Sequence, residues 1–423
     1  MARLVPRVSG SILLYTVHGI DSNSVWTLAT FVDPVGGNTV RHQNSVFHDL
    51  LKRVSWSDFD ALVVEHGADC RVRRLTTRSQ FIALLYGQLS GAISLRETVA
   101  GMHSQATRLY HLGAQPPCRS TLADANAQRP SGVFSDLLGR MMQASSRSLR
   151  RSVGETTLLI DSTGLKLNER SAGWARFSTK VCGAKLHVIY DPNAERPVYA
   201  AISTANTNDI TAAQTMPIVP GATYVFDLGY YDYAWWAELD RAQCRIITRI
   251  KRNTPLRVVE RLALPEGSAV VSDSIGFLPG RQCNNRHNPM ADAVREVRVL
   301  THTGKELRIL SNDLDAPAEE IAALYKQRWQ IELFFRWIKQ TLKITRFLGT
   351  SENAIRIQIA VALIAFLLLK MAHANQSAVP QPTIFARLVR ANLMHRRSIN
   401  HLIEHKQTEP IGGPQAQFQW MTI

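Results

Sequence analysis

Asp161 follows the apolar run Thr156-Thr-Leu-Leu-Ile160, and Asp227 follows Tyr224-Val-Phe226. Both runs read as buried strands, so both aspartates are expected to emerge at strand ends, where open sheets place ligands. A third acid, Glu332, lies in Tyr325-Lys-Gln-Arg-Trp-Gln-Ile-Glu-Leu-Phe-Phe-Arg-Trp-Ile-Lys339, which contains no Gly or Pro. Tyr325, Arg328, Glu332, Arg336 and Lys339 recur there at intervals of three, four, four and three. One helix would therefore carry an acid among cations on a single face, with Leu324, Ile331, Phe334, Phe335 and Ile338 anchoring the other. A charge stripe by itself reads as a solvated amphipathic face. A lone strand-end Asp reads as a turn former or helix cap, the reading given to Asp191 and Asp209. Two aspartates and a helical glutamate together are harder to dismiss. Converging carboxylates repel and raise at least one pKa, a cost that divalent cations reverse. Hard oxygen ligands select Mg2+, with Mn2+ as a substitute. Two ions about 3.5–4 Å apart would activate a water or 3′-hydroxyl and stabilise the leaving oxygen at phosphorus. His187, in Lys185-Leu-His-Val188, reads as a satisfied strand histidine.

The bulk of the chain fits a polyanionic substrate. Its 423 residues carry 49 Lys and Arg against 34 Asp and Glu, a net charge of +15, and the pI is near 9.9. Double-stranded DNA ranks ahead of a membrane surface as partner, because the cations are spread along the chain and not gathered beside an apolar anchor. Five cysteines with no Cys-x-x-Cys pair indicate neither a disulfide framework nor a zinc site. Cys283 and His287 have ligand spacing, but without a second pair they read as bystanders. The longest apolar run, Ile359 to Leu369, is shorter than the ~20 residues that span a bilayer and reads as a buried helix. The N-terminus lacks a signal peptide's long apolar region, so a cytoplasmic protein is expected.

These groups need elements to hold them. Residues 1–41 end in the turn-rich Asp33-Pro-Val-Gly-Gly-Asn38 and read as an extension. Residues 42–145 show helical spacing, as in Phe47, Leu50, Leu51, Val54 and Phe81, Leu84, Leu85, Leu89, with a basic cluster at Arg71, Arg73, Arg74 and Arg78. One helix is expected to open near Pro117 with Ser120 or Thr121 as N-cap and Asp124 in its first turn. Arg119 and Ser120 at its start, then Asn126 and Arg129, have the chemistry to meet phosphates and base edges; an ordinary capped surface helix fits equally well. Arg140, Arg147, Arg150 and Arg151 punctuate a Ser-rich connection. Lys185 to Tyr190, Val198 to Ile202 and Tyr224 to Phe226 read as strands and Ile210 to Met216 as a helix, which indicates a mixed sheet covered on both faces. After a helix at Tyr233 to Ala242, residues 253–312 alternate short β-like runs with turns, a β-rich insertion separating Asp227 from Glu332. Helices follow at Ile355 to Ala374 and Thr383 to Glu404.

Y-x2-R-x3-E-x6-K, read as Tyr325, Arg328, Glu332 and Lys339, resembles the signature of bacterial DDE transposases of the Insertion Sequence Four type. Leu-Leu-Ile-Asp161-Ser-Thr-Gly and Val-Phe-Asp227-Leu-Gly-Tyr look like that family's two aspartate strands. The resemblance runs from about His42 to the C-terminal region. It implies an α/β protein: an RNase H-like mixed-sheet core in two parts (146–252 and 313–375), the β-rich insertion, an all-helical N-terminal DNA-binding domain and a helical C-terminal region (376–423). It implies that Asp161, Asp227 and Glu332 are catalytic metal ligands, that Tyr325, Arg328 and Lys339 bind DNA phosphates, and that the helical domain recognises transposon ends. Arg336 lies among these cations, and Lys251 and Arg252 are candidates to follow DNA from the insertion. Cut-and-paste transposition by a homodimer on terminal inverted repeats, in the bacterial cytoplasm and nucleoid, would follow. The family's hairpin-forming members use an aromatic wedge in the insertion; between Trp236 and Tyr325 this chain has only Phe277. An inactive end-binding protein and a nuclease that cuts without joining are the alternatives.

Overall fold

The computed structural model describes residues 44–70, 72–146, 156–264, 267–280, 288–301 and 303–404. The expectations for residues 1–41, for Arg71, for Arg147, Arg150 and Arg151, and for Cys283 with His287 lie outside the described residues.

The first half is helical, as its spacing predicts: α1 (Val46–Leu51), α2 (Trp56–Glu65), α3 (Thr77–Ser90), α4 (Leu95–Ser104), α5 (Ala106–Leu109), a 3-10 turn at Tyr110–Leu112, α6 (Arg119–Gln128) and α7 (Gly132–Ser146). Ser45, Ser55, Thr76 and Ser94 cap the first four helices, each hydroxyl accepting from the amide three residues on. Each such cap satisfies a donor that the helix leaves open, typically worth ~1 kcal/mol. The cap expected for α6 is corrected. Cys118 occupies it without a side-chain bond, so Ser120 lies inside the helix and Asp124 beyond its first turn.

Then come β1 (Thr157–Leu167), α8 (Ala172–Ala175), β2 (Cys182–Asp191), β3 (Arg196–Thr204), α9 (Asp209–Ala213), β4 (Thr223–Val225), α10 (Tyr233–Arg241) and β5 (Arg245–Arg249). Four more strands follow: β6 (Arg257–Arg261), β7 (Val270–Phe277), β8 (Val294–Leu300) and β9 (Glu306–Ser311). The chain continues through α11 (Ala318–Gln327), α12 (Trp329–Thr341), α13 (Glu352–Ala374), α14 (Pro382–Ala391) and α15 (Ile399–Glu404). The helix expected from Thr383 to Glu404 is thus two helices. The helix expected from Tyr325 to Lys339 is interrupted at Arg328, where Arg328 N bonds to Tyr325 O and Ile331 N to Arg328 O, both three residues back.

Among the described residues, nine strands join one mixed sheet, ordered β3-β2-β1-β4-β5-β9-β8-β7-β6. Only β1–β4 and β4–β5 are parallel. The β-rich segment is therefore not detached from the sheet: β9 pairs antiparallel with β5 and carries β8, β7 and β6 outward. Gly276 permits this edge, because a Cβ there would stand 2.5 Å from the Arg257 carbonyl. Within it, Asp273 takes a two-pronged bond from buried Arg295, and buried Glu296 accepts from Arg298 and Arg308. Both partners of a buried pair must be present, since a lone charge there is far costlier than the pair.

Alternation along the central strands gives the sheet two apolar faces. Leu158, Ile160, Tyr224, Phe226 and Ile246 meet Trp235 and Trp236 of α10. Leu159, Val188, Val225 and Ile247 share the other core with α12 and α13. Helix α13 is apolar on all sides, the mark of a buried helix, and packs against α3, α6, α7 and α12. It is long and apolar enough to cross a membrane, but most of it is buried inside the protein.

Candidate active site

Strand register brings the two aspartates together. Leu159 pairs with Val225 in the parallel β1–β4 ladder, and Asp161 and Asp227 each lie two residues further along their strands. They therefore stand at the same level on neighbouring strands, which run ~4.8 Å apart. Two residues on is also the same face, the one covered by α12. The expectation of two strand ends is half corrected: Asp227 lies just past the end of β4, two residues beyond Val225, but Asp161 is inside β1, which continues to Leu167 by pairing with β2. The ladder makes the opening, because β4 stops at Val225 while β1 runs on.

Helix α12 supplies the third acid. Ile331, Phe334, Phe335 and Ile338 are buried, and the Phe334 ring lies 5.1 Å from Tyr190 of β2. That packing turns Glu332 toward β1. Arg328 lies between the acids, with Nη2 2.5 Å from Glu332 Oε1 and Nη1 3.5 Å from Asp161 Oδ2. The helix break places this guanidinium one turn before Glu332, where it spans both carboxylates.

Backbone amides orient the aspartates. Ser162 N donates to Asp161 Oδ1 (2.7 Å) and Gly229 N to Asp227 Oδ1 (2.8 Å). Residue 229 must be small: a Cβ there would lie 3.0 Å from Asp227 Oδ1 and 3.3 Å from Asp209 Oδ2. Burial pushes the Asp161 carboxyl up to about 6; the Ser162 amide and Arg328 oppose this, and Asp227 and Glu332 add to it. Asp227 and Glu332 thus both lie within electrostatic reach of Asp161.

Asp209 is a member of this neighbourhood that the sequence reading assigned to a turn or cap. Asn208 holds the N-cap position of α9, while the Asp209 carboxylate accepts from Ser162 Oγ (2.7 Å) and Lys185 Nζ (3.1 Å). Its signal in the sequence was absent, since nothing local links residue 209 to residues 162 and 185. Asp191 does form the expected turn, accepting from the amides of Asn193 and Ala194. His187 is fully buried in β2 and its Nε2 lies 2.7 Å from Ser203 Oγ, but its Nδ1, 3.8 Å from Asp209 Oδ1, has no hydrogen-bond partner, so the expectation of a satisfied strand histidine is met on one ring nitrogen and corrected on the other.

Among the described residues, no three acidic, His or Cys side chains form a ready-made metal cage. Arg328 provides the positive charge between Asp161 and Glu332 instead. The donor set itself fits a hard divalent cation, being oxygen-only, partly buried and mutually repelling, so a cation can replace the guanidinium without leaving an acid uncompensated.

The candidate DNA-contacting residues divide. Arg336 is exposed beside the Trp329 ring, Lys339 is half-buried on α12, and Lys251 and Arg252 are exposed on the turn after β5. Arg119 and Ser120 are exposed at the start of α6. Tyr325 is corrected: it is buried, not on an exposed face with Arg336. Asn126 and Arg129 are corrected as base or phosphate readers. Both are buried, with Gln80 Nε2 donating to Asn126 Oδ1 and Arg129 donating to Gln80 Oε1 and the Leu75 carbonyl. Asn353 of α13 donates to the carbonyls of both residues. This polar knot ties α6 to α3 and α13.

The chain is similar to known proteins. Residues 153–368 match the transposase DDE domain family, and residues 42–115 match a domain of unknown function. A Sinorhizobium fredii protein named as transposase y4zB is 40% identical over 288 residues, covering 67% of this chain and 79% of that protein. A Geobacillus stearothermophilus protein named as the transposase of insertion sequence element IS5377 is 29% identical over 258 residues, covering 59% of this chain and 66% of that protein. The solved piggyBac transposase synaptic complex with hairpin DNA aligns with a TM-score of 0.42 and 10% identity over 89% of this chain and 84% of that one. The family acts on DNA by cleavage and strand transfer and depends on divalent metal. The chain belongs to the DDE transposases of the insertion-sequence type.

Proposed function

We propose that Asp161, Asp227 and Glu332 are the catalytic acids of a cut-and-paste transposase that acts on the terminal inverted repeats of its own element. The carrying observation is the β1–β4 register, which sets the two aspartates level and facing the helix of Glu332. We read the sheet from β3 to β5 with α11 to α13 as an RNase H-like core (146–252 and 313–375), with β6 to β9 as its insertion (253–312). Residues 42–145 are the DNA-binding region and residues 376–423 the C-terminal region. The acids would hold Mg2+, or Mn2+ in its place, as a pair of ions. Bound there, the ions would activate the attacking hydroxyl and offset charge at the leaving oxygen.

The remaining work falls to the chain. The Ser162 and Gly229 amides fix one oxygen of each aspartate, leaving the other toward the site. Arg328, once released from Asp161 and Glu332, turns its fork to a phosphate oxygen, for which a guanidinium offers two parallel bonds. Arg336 and Lys339 continue the cationic track one and two turns beyond Glu332 along α12, and Lys251 and Arg252 extend it from the far side. Two copies pair the two element ends in the bacterial cytoplasm, at the nucleoid. Phe277 is already stacked under Arg257 at 4.7 Å, so we assign no hairpin step to it.

Incubation of the protein with a labelled element end and an unlabelled plasmid, with Mg2+ or EDTA, tests this reading. Metal-dependent cuts at the element boundary and joined product are expected. Binding without cuts would favour an inactive end-binding protein, and cuts without joining a plain nuclease.

A further inference from the structure

A cavity of about 390 Å3 lies in the helical half, far along the chain from the catalytic acids. Its lining includes His48 from α1 and Lys52 just after it, Trp56 at the start of α2, Arg78 in the first turn of α3, and His111 with Gly113 after α5. Every one of these residues falls within 42–115, the segment matched by a family of unknown function. Three separate parts of the chain thus direct basic side chains at one space, and among the described residues no Asp or Glu lines it.

Part of the hydrogen-bonding capacity of Arg78 and His48 is unused within the protein. The Arg78 guanidinium lies 4.0 Å above the Trp56 ring, which holds the charge in place without consuming its N–H groups. Arg78 Nε and His48 Nδ1 are both buried with no hydrogen-bond partner. An unmet buried polar group costs ~1–3 kcal/mol, and the crowding of positive groups adds to that. Burial, then Lys52, depresses the proton affinity of His48, with His111 acting the same way and Asp49 opposing. Asp49 is the nearby acid, but it already serves Lys52 and the Ile399 amide. A water would satisfy one donor and leave the charge. An oxyanion accepts from the Arg78 guanidinium and the Lys52 ammonium and offsets their charge together.

We infer that this cavity is a phosphate-binding pocket, and that its occupant in the working protein is a backbone phosphodiester of DNA. Arg78 provides the fork and Lys52 the point charge at the mouth, the two modes in which proteins hold phosphate. The apolar wall around Trp56 leaves room for the flanking sugar. The choice of DNA as the source rests on the proposed end binding; the pocket itself does not.

The test is titration of the full chain with inorganic phosphate at fixed ionic strength, followed by duplex DNA carrying the element end at several salt concentrations. Wild type is expected to bind phosphate saturably. Arg78→Met and Lys52→Met are each expected to weaken that binding at least tenfold and to lower the salt slope of DNA binding by about 1, the loss of one phosphate contact. Lys52 is largely exposed, so its variant remains informative if Arg78→Met does not fold. Phosphate binding lost in both variants with an unchanged DNA slope would overturn DNA as the source and leave a site for free phosphate. No phosphate binding by wild type would overturn the pocket, whether or not the protein cleaves DNA.

Discussion

Arg129 decides whether α6 reads DNA with its buried side or only with its exposed start. Its guanidinium donates to Gln80 Oε1 at 3.1 Å and to the Leu75 carbonyl, and it is 9% exposed. Arg129→Ala leaves both acceptors buried without a donor. At ~1–3 kcal/mol for each unmet group, the loss is about 2–6 kcal/mol, a large part of the 5–15 kcal/mol that typically separates folded from unfolded protein. The midpoint of thermal unfolding, followed by circular dichroism, is expected to fall by about 2–7 °C, taking ~2.1 cal/mol/K of unfolding entropy per residue. Arg119→Ala, at an exposed position of the same helix, is expected to leave it unchanged. Measured well below its own melting point, the Arg129→Ala protein should bind an element end with the wild-type salt slope, whereas Arg119→Ala should flatten it by about 1. A variant that melts like wild type yet loses DNA affinity and salt slope would refute the reasoning and restore Arg129 to the DNA surface.

Other consequences follow from the same contacts. Asp209→Ala removes the acceptor that holds Ser162 Oγ and Lys185 Nζ, so cleavage is expected to fall ~10–100-fold, the usual loss when the support of a ligand is removed. Unchanged end binding in a mobility-shift assay should accompany that loss; unchanged cleavage would make Asp209 structural. For Glu296, burial raises proton affinity, but hydrogen bonds from Arg308 and Arg298 outweigh it and hold the carboxyl below its ordinary 4.5. A depressed acid contributes stability that is present above the unfolded pKa and lost as pH falls through the folded one. The stability gap between wild type and Glu296→Gln in urea melts should therefore narrow as pH drops below about 4.5; a gap independent of pH would contradict this. Gly276→Ala is expected to destabilise the β6–β7 edge, read as faster amide exchange in β6 and β7, because its methyl would meet the Arg257 carbonyl. Unchanged exchange would mean that the backbone yields there.

The sequence showed the elements better than their joints. Residue spacing revealed the helices of the first half and the strands on either side of Asp161, because a buried face writes its period into the chain. Ser162-Thr-Gly looked like a strand end, yet β1 continues because the β2 partner supplies hydrogen bonds that no local propensity records. The break at Arg328 was equally silent, since no Gly or Pro marks it. Asn126 and Arg129 were misplaced because a polar residue near a helix end looks alike whether it faces water or a buried Gln80. Asp209 joins Ser162 and Lys185 only through tertiary structure. The three acids were legible because each stands beside an apolar run or stripe that fixes its direction.

The central claim is that Asp161, Asp227 and Glu332 form one phosphoryl-transfer site. The direct measurement is strand transfer of a pre-cut, labelled element end into plasmid by Asp161→Asn, Asp227→Asn and Glu332→Gln, with end binding measured in parallel. Each variant is expected to bind the end like wild type and to lose joining by at least ~100-fold, no less than the loss from disturbing a ligand's support. Any one of the three that joins ends at the wild-type rate would contradict the account.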